Sequence, residues 1–299
     1  MNCPSERTLR EQIATAPHTP RVGLALSGGG ARGLAHIGVL RVLERESIPV
    51  HLLAGTSMGG VIAAAYAAGL NPDFMEQEAR RMASVRRLLA LADPSLPRRG
   101  LFEGQKVYAY LAAHLGERTF ADLRIPLALV AVDLNSGREV YLRQGRVVDA
   151  VRASVALPGV LTPVERDGQL LVDGGLLDNL PADAVRQMGA DVVIAVDVTS
   201  DGQTISHLVQ ALYRRRYVPN GLADTIEVLW RSVAVMMAEI NRHRLAEARP
   251  EVIIRPAIPP QVTVLTGFPR AAEIIAAGEQ AALAALPRLR QVVEGTLPS

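Results

Sequence analysis

Short apolar runs alternate with amphipathic stretches along the chain, and glycine or proline separates most of them. Residues 21–27 (RVGLALS) are an apolar run that stops at Gly28-Gly29-Gly30, which predicts a buried strand. Residues 33–46 read as a helix whose polar side is Arg41, Glu44 and Arg45; the rest is apolar, so most of its surface must be covered. Residues 50–55 (VHLLAG) predict a second buried strand, and the alanine-rich stretch Ser57 to Ala68 a helix that stops at Gly69. Asn71 caps the next helix, with Pro72 in its first turn. A loop over 92–100 and a helix over 103–115 follow. Residues 125–134 and 138–143 are strands around the turn Asn135-Ser136-Gly137. A helix over 147–157 ends at Pro158-Gly159, and residues 168–175 (GQLLVDGG) are a strand running into a glycine turn. Then come a helix over 182–189 and a strongly apolar strand over 191–198. Residues 204–248 are mostly helical, with a break near Pro219-Asn220-Gly221. A short strand over 251–256 and a closing helix over 268–293, interrupted at Gly278, complete the chain. Strands that alternate with helices predict an α/β fold, a mainly parallel sheet covered on both faces. Residues 1–20 are polar and without period, a flexible tail; residues 21–299 contain no repeat or linker and are read as one domain.

Composition removes several classes. Of the residues, 49% are hydrophobic and 21% charged, which argues against disorder. Lys and Arg number 32 against 30 Asp and Glu, so a dedicated nucleic-acid binder is not expected. The single cysteine, Cys3, can form neither an internal disulfide nor a cysteine-based zinc site, and a reducing compartment is the simplest reading. No metal site is indicated and no cofactor is expected. The charged N-terminus has no apolar core of a secretory signal. The longest stretch without formal charge, Ser47 to Pro72, contains His51, Thr56, Ser57 and Asn71 and makes a poor membrane span. A cytoplasmic protein, peripheral at the inner membrane surface at most, is the expectation.

Three motifs carry chemistry. The first is Gly28-Gly29-Gly30-Ala31-Arg32-Gly33, between a predicted strand and helix. Such a turn exposes backbone N–H groups at a helix N-terminus, where they bind phosphate or a developing oxyanion. It also matches a dinucleotide-binding fingerprint, but that site needs an acid at the end of the second strand, and this strand ends Leu52-Leu53-Ala54-Gly55. The second motif, Gly55-Thr56-Ser57-Met58-Gly59, follows a strand and opens a helix, where a nucleophile elbow sits. The rival reading is a serine that caps the helix. The third, Asp173-Gly174-Gly175, puts a carboxylate at a strand end, where it could act as base for a serine or simply close a turn. Asp133 and Asp197 occupy similar places, so spacing alone does not select Asp173. Of the six histidines only His207 and His243 follow Asp173, and both fall in predicted helix, so none is an obvious base.

Together, and in this order, the three motifs resemble the patatin-like phospholipase family, and Arg152 to Gly159 (RASVALPG) resembles the family's segment between nucleophile and acid. The resemblance covers residues 22 to 198 best, and the C-terminal stretch is similar to bacterial single-domain members. It implies a three-layer α/β/α sandwich and a Ser-Asp dyad without histidine. Ser57 would be the nucleophile, Asp173 the general base, and the amides of Gly28 to Gly33 the oxyanion hole, with Gly174 and Gly175 completing the acid motif. Arg32 would either hold the turn or add positive charge near it. The implied substrates are fatty-acyl esters: phospholipids, lysophospholipids or related lipids. A rival of another class is a non-catalytic regulator that binds lipid or nucleotide. Ile226, Leu229, Trp230, Val233, Met237 and Ile240 form an apolar stripe that is either ordinary core or an acyl-chain surface. Arg80-Arg81, Arg86-Arg87, Arg98-Arg99 and Arg214-Arg215-Arg216 are either solvated charge or contacts to anionic head groups.

Overall fold

The computed structural model describes residues 20–84, 91, 93, 100–199, 220–259, 261–262 and 267–294, without the side chains of 220–224, 226 and 227. The expected tail up to residue 19, the helix over 204–219, His18, His207, the Ile226 side chain and the clusters Arg86-Arg87, Arg98-Arg99 and Arg214 to Arg216 lie outside the described residues.

The described residues form ten strands: β1 (Val22–Leu26), β2 (Leu52–Thr56), β3 (Gly100–Phe102), β4 (Leu127–Asp133), β5 (Arg138–Leu142), β6 (Gly159–Leu161), β7 (Val164–Arg166), β8 (Gln169–Asp173), β9 (Val192–Val196) and β10 (Val252–Ile254). The helices are α1 (Ala35–Arg45), α2 (Ser57–Ala67), α3 (Pro72–Met82), α4 (Gln105–Leu115), α5 (Val147–Ser154), α6 (Ala182–Gln187), α7 (Asn220–Ala248) and α8 (Ala271–Val293). Strands β10, β9, β1, β2 and β4 lie side by side and parallel. The far side of the sheet is antiparallel, where β5 and β8 pair with β4 and β7 pairs with β8. Strands β3 and β6 make a separate parallel pair.

Strand β4 decides the geometry of the site. One of its edges is taken by β5, with Val130 opposite Tyr141 and Ala131 opposite Val140. A strand has only two edges, so its other partners share the remaining one. There β2 pairs up to Thr56–Val130, and β8 takes over at Asp173–Ala131. The two strands run in opposite directions and meet end to end, which brings their last residues together.

The sheet is covered unequally. Val22, Leu24 and Leu26 of β1, Leu53 of β2, Leu129 of β4 and Ile194 of β9 join the larger core under α1, α2, α3, α4, α5 and α8. The alternate positions Ala25, Ala54, Ala128 and Ala195 face a thinner core with Ala182, Ala184 and Val185 of α6, against which Leu245 and Ala248 of α7 pack. Small side chains on that face let α6 approach closely: a Cβ on Gly23 would lie 2.8 Å from the Cβ atoms of Ala190 and Val185. The result is the expected three-layer α/β/α sandwich.

Several expectations change. Gly278 does not interrupt α8; a Cβ there would lie 1.9 Å from the Ala35 carbonyl oxygen, so the glycine lets α8 cross α1 in backbone contact. Arg41, half-buried on the polar side of α1, ties that helix to Asp73 and Glu76 of α3 and to Glu279 of α8. Short strands β3, β6 and β7 stand where no strand is predicted. Among the described residues, no helix is long and apolar enough to cross a membrane.

Candidate active site

Ser57 is the first residue of α2, directly after β2. Its φ is +53°, in the left-handed region that a side chain rarely adopts. The bend is tight enough to press α2 onto the end of β1: a Cβ on Gly59 would lie 2.3 Å from the Leu26 carbonyl oxygen. Two bonds hold the bend. The Ser57 N–H donates to Ser154 Oγ at the end of α5 (3.0 Å), and Thr56 Oγ1 donates to the Asp178 carbonyl (2.8 Å).

The Ser57 hydroxyl donates to Asp173 Oδ2 at 2.6 Å, across 116 residues of sequence. The other carboxylate oxygen, Oδ1, accepts the Gly175 N–H at 2.8 Å. Asp173 is 4% exposed, and burial pushes its carboxyl up to about 6, against the opposing effect of the Ser57 and Gly175 donors. The rival acids are spent elsewhere. Asp133 accepts from Ser136 Oγ and from the amides of Asn135, Ser136 and Leu170, which hold it below the usual carboxylate range. Asp197 accepts from Thr199 and pairs with Arg255. The helix is not capped by Ser57; the capping position belongs to Thr56.

The glycine turn lies beside this pair. Its residues Gly30–Leu34 form a single-turn 3-10 helix, with Gly29 as the preceding cap. Ala31 and Gly33 are buried, and Met58 packs over Gly33, where a Cβ would lie 2.5 Å from Met58 Cγ. The Gly28 N–H donates to the Asn179 carbonyl (2.9 Å) and the Arg32 N–H to the Gly29 carbonyl (3.2 Å). A helix start leaves its first amides without an internal acceptor, here those of Gly30 and Ala31 beside that of Gly29. A Cβ on Gly28 would lie 3.1 Å from Ser57 Cβ, so the turn passes against the serine. The buried Arg32 guanidinium donates to the Val198 carbonyl at 2.8 Å and pins the turn to the segment that follows β9.

The described histidines serve the scaffold. Buried His36 donates from Nε2 to the Ser27 carbonyl (2.8 Å), and burial lowers its ring to about 4, so it stays neutral. His51 accepts the Val22 N–H, His114 bonds the Tyr110 carbonyl, and His243 is exposed beside Glu239. No group of three or more His, Cys, Asp or Glu could hold a metal ion, among the described residues. The stripe on α7 divides: Trp230 and Met237 are buried, but Leu229 is 62% exposed. Arg80 and Arg81 pair with Glu76 and Glu78 on their own helix. Sequence reasoning noted Ser154 only as part of the segment Arg152 to Gly159, without a role of its own, and passed over Asn179; their partners lie 97 and 151 residues away.

The chain is similar to several known proteins. An NTE family protein of Mycobacterium tuberculosis is 36% identical over 218 residues, which is 73% of this chain and 58% of that protein. Human patatin-like phospholipase domain-containing protein 6 is 39% identical over 189 residues, 61% of this chain and 14% of that one. The chain thus spans little more than half the length of the mycobacterial relative and far less of the human one. Among solved structures, VipD from Legionella pneumophila superposes with a TM-score of 0.46 at 13% identity, covering 91% of this chain and 67% of its own. Residues 24–186, more than half of the sequence, match the model of the family described as patatin-like phospholipase. That span opens in β1 and closes in α6, so it encloses the glycine turn, Ser57 and Asp173 alike, and the chain belongs to the patatin-like phospholipase family.

Proposed function

We propose that the protein is a serine acyl hydrolase that cleaves fatty-acyl ester bonds of phospholipids, lysophospholipids or related lipid esters. The observation that carries the reading is the 2.6 Å bond from Ser57 Oγ to a buried carboxylate, beside a helix N-terminus with open amides. Ser57 attacks the acyl carbonyl, and Asp173 takes the hydroxyl proton. The tetrahedral oxyanion is held by amides of the glycine turn, those of Gly29, Gly30 and Ala31, because the Gly28 and Arg32 amides have backbone acceptors. The alcohol leaves with the proton from Asp173. Water then attacks the acyl-enzyme and gives a proton to Asp173, which passes it to Ser57 Oγ as the serine leaves, so that the fatty acid is released and the dyad restored.

An ordinary aspartate is too weak a base for this task. Burial raises Asp173 to about 6, which strengthens it while keeping it ionised at neutral pH. The catalytic rate therefore rises with pH through an apparent pKa near that value. The decisive experiment is labelling by a fluorophosphonate together with hydrolysis of an acyl-ester series, wild type beside Ser57→Ala and Asp173→Asn. Loss of labelling and turnover in Ser57→Ala, and loss of turnover in Asp173→Asn, is expected. Turnover in either variant overturns the dyad, and a wild type that neither labels nor hydrolyses favours the non-catalytic regulator.

A further inference from the structure

We infer that Asn179 is a positioning residue that aims the Gly29 N–H at the oxyanion; this rests on the hydrolase reading of Ser57. The argument begins with the peptide between Gly28 and Gly29. No described peptide bond is cis, so the Gly28 carbonyl and the Gly29 N–H lie in one rigid plane and point in opposite directions. Whatever holds the carbonyl also aims the amide.

Asn179 holds it. Its side-chain Nδ2 donates to the Gly28 carbonyl at 3.3 Å, and its backbone carbonyl accepts the Gly28 N–H at 2.9 Å. One residue thus grips both polar groups of Gly28 and turns the Gly29 N–H away from itself. The contact tolerates no side chain at Gly28, where a Cβ would lie 2.4 Å from Asn179 Oδ1. Asn179 is itself fixed: it is 9% exposed, and its N–H donates to Asn241 Oδ1 of α7 at 2.9 Å. The preceding Asp178 carbonyl accepts the hydroxyl of Thr56, the neighbour of Ser57. The segment after Asp173 therefore sets the glycine turn and the serine bend against each other.

The test uses Asn179→Ala, which removes the donor, and Asn179→Asp, which keeps the shape but sets an acceptor against the Gly28 carbonyl. Kinetics are measured on an acyl ester that wild type turns over. The expected loss in kcat is on the order of 10-fold to 100-fold, with KM within about 2-fold; in Asn179→Ala the pH profile is unmoved, because that change leaves the charges of the dyad alone. Nuclear magnetic resonance supplies a readout that a purely structural role would not move. Phosphonylation of Ser57 by a fluorophosphonate shifts the Gly29 amide proton downfield in wild type, and the shift is lost in both variants. If Asn179→Ala does not fold, Asn179→Asp is judged by kcat and the Gly29 shift. Variants with wild-type kcat, variants that retain the Gly29 shift, or loss of fold in both overturn the inference and leave Asn179 to the scaffold. A wild type without Ser57-dependent turnover overturns the hydrolase reading, and this inference with it.

Discussion

At Asp173 two requirements oppose each other: the carboxylate must be ionised to accept a proton, and it sits where water cannot solvate the charge. Its value of about 6 in the fold lies above the ordinary 3.8, so between those values the native state holds a proton that the unfolded chain has released. Folding stability contributed by this group therefore falls as pH rises through that window, and the penalty is complete above it. The size is about 3 kcal/mol. Asp173→Asn removes the charge and keeps the shape. We expect it to be more stable than wild type in urea unfolding at pH 8 by up to about 3 kcal/mol, with the gap closing toward pH 4. Equal or lower stability of the variant at pH 8 would show that the carboxylate is adequately solvated. His36 runs the other way: its ring drops to about 4 in the fold, so acidification below the ordinary 6.5 destabilises the protein. Comparing variant with wild type at each pH isolates Asp173 from that slope. At this scale Ser57 was legible from its glycine-flanked place after a strand and Asp173 from the family resemblance; Ser154 was marked only as part of the segment Arg152 to Gly159, and Asn179 carried no local signal.

Elements follow their periodicities where they are long enough to have one. The apolar runs of β1, β2, β4 and β9 and the amphipathic run of α3 were readable because burial on two faces or on one leaves different patterns. Strands β3, β6 and β7 were not: GLF and GVL start on glycine and VER carries two charges, whereas β10, equally short, is the wholly apolar VII. Gly278 shows a further limit. Glycine within a helix reads as a weakness, yet here it marks a crossing, with Gly38 of α1 opposite: a Cβ on Gly38 would lie 2.0 Å from the Ile275 carbonyl oxygen. Gly278→Ala adds a methyl that both backbones must part to admit. A loss of about 3 kcal/mol is expected despite the better helix propensity of alanine. Calorimetry checks this, and a variant with unchanged Tm would mean that the crossing has slack.

Across the whole molecule, α7 is fastened to the thin face by a polar cluster rather than by apolar contact alone. Arg244 donates to Asp183 (2.6 Å), Glu139 (3.2 Å) and the Tyr141 hydroxyl (2.9 Å), and lies 3.6 Å from buried Asp178. Burial raises the Asp178 carboxyl to about 7, with Asp183 adding to the rise and Arg244 opposing it. Arg244→Met would leave that carboxylate without its cation. We expect a loss of about 3 kcal/mol at pH 8 and less at pH 5, where the carboxyl takes a proton and the uncompensated charge disappears. A loss equal at both pH values would assign the effect to packing instead. The cluster joins β5, α6 and α7, which are remote in sequence, and no pattern along the chain announces it.

The sequence by itself determined the alternation of strand and helix, the glycine turn, the bend at Ser57 and the carboxylate at the end of β8, because each is a matter of neighbouring residues and their φ, ψ and burial preferences. Spacing left Asp133, Asp173 and Asp197 open and the family resemblance pointed to Asp173; the tertiary structure sets Asp173 against Ser57, since all three lie at or one residue past a strand end and differ in what lies opposite. The choice was made on one edge of β4, where β2 stops at Val130 and β8 arrives at Ala131. Two strands that meet end to end on a shared neighbour put their terminal side chains in reach of each other, and that pairing is a property of the sheet rather than of either segment.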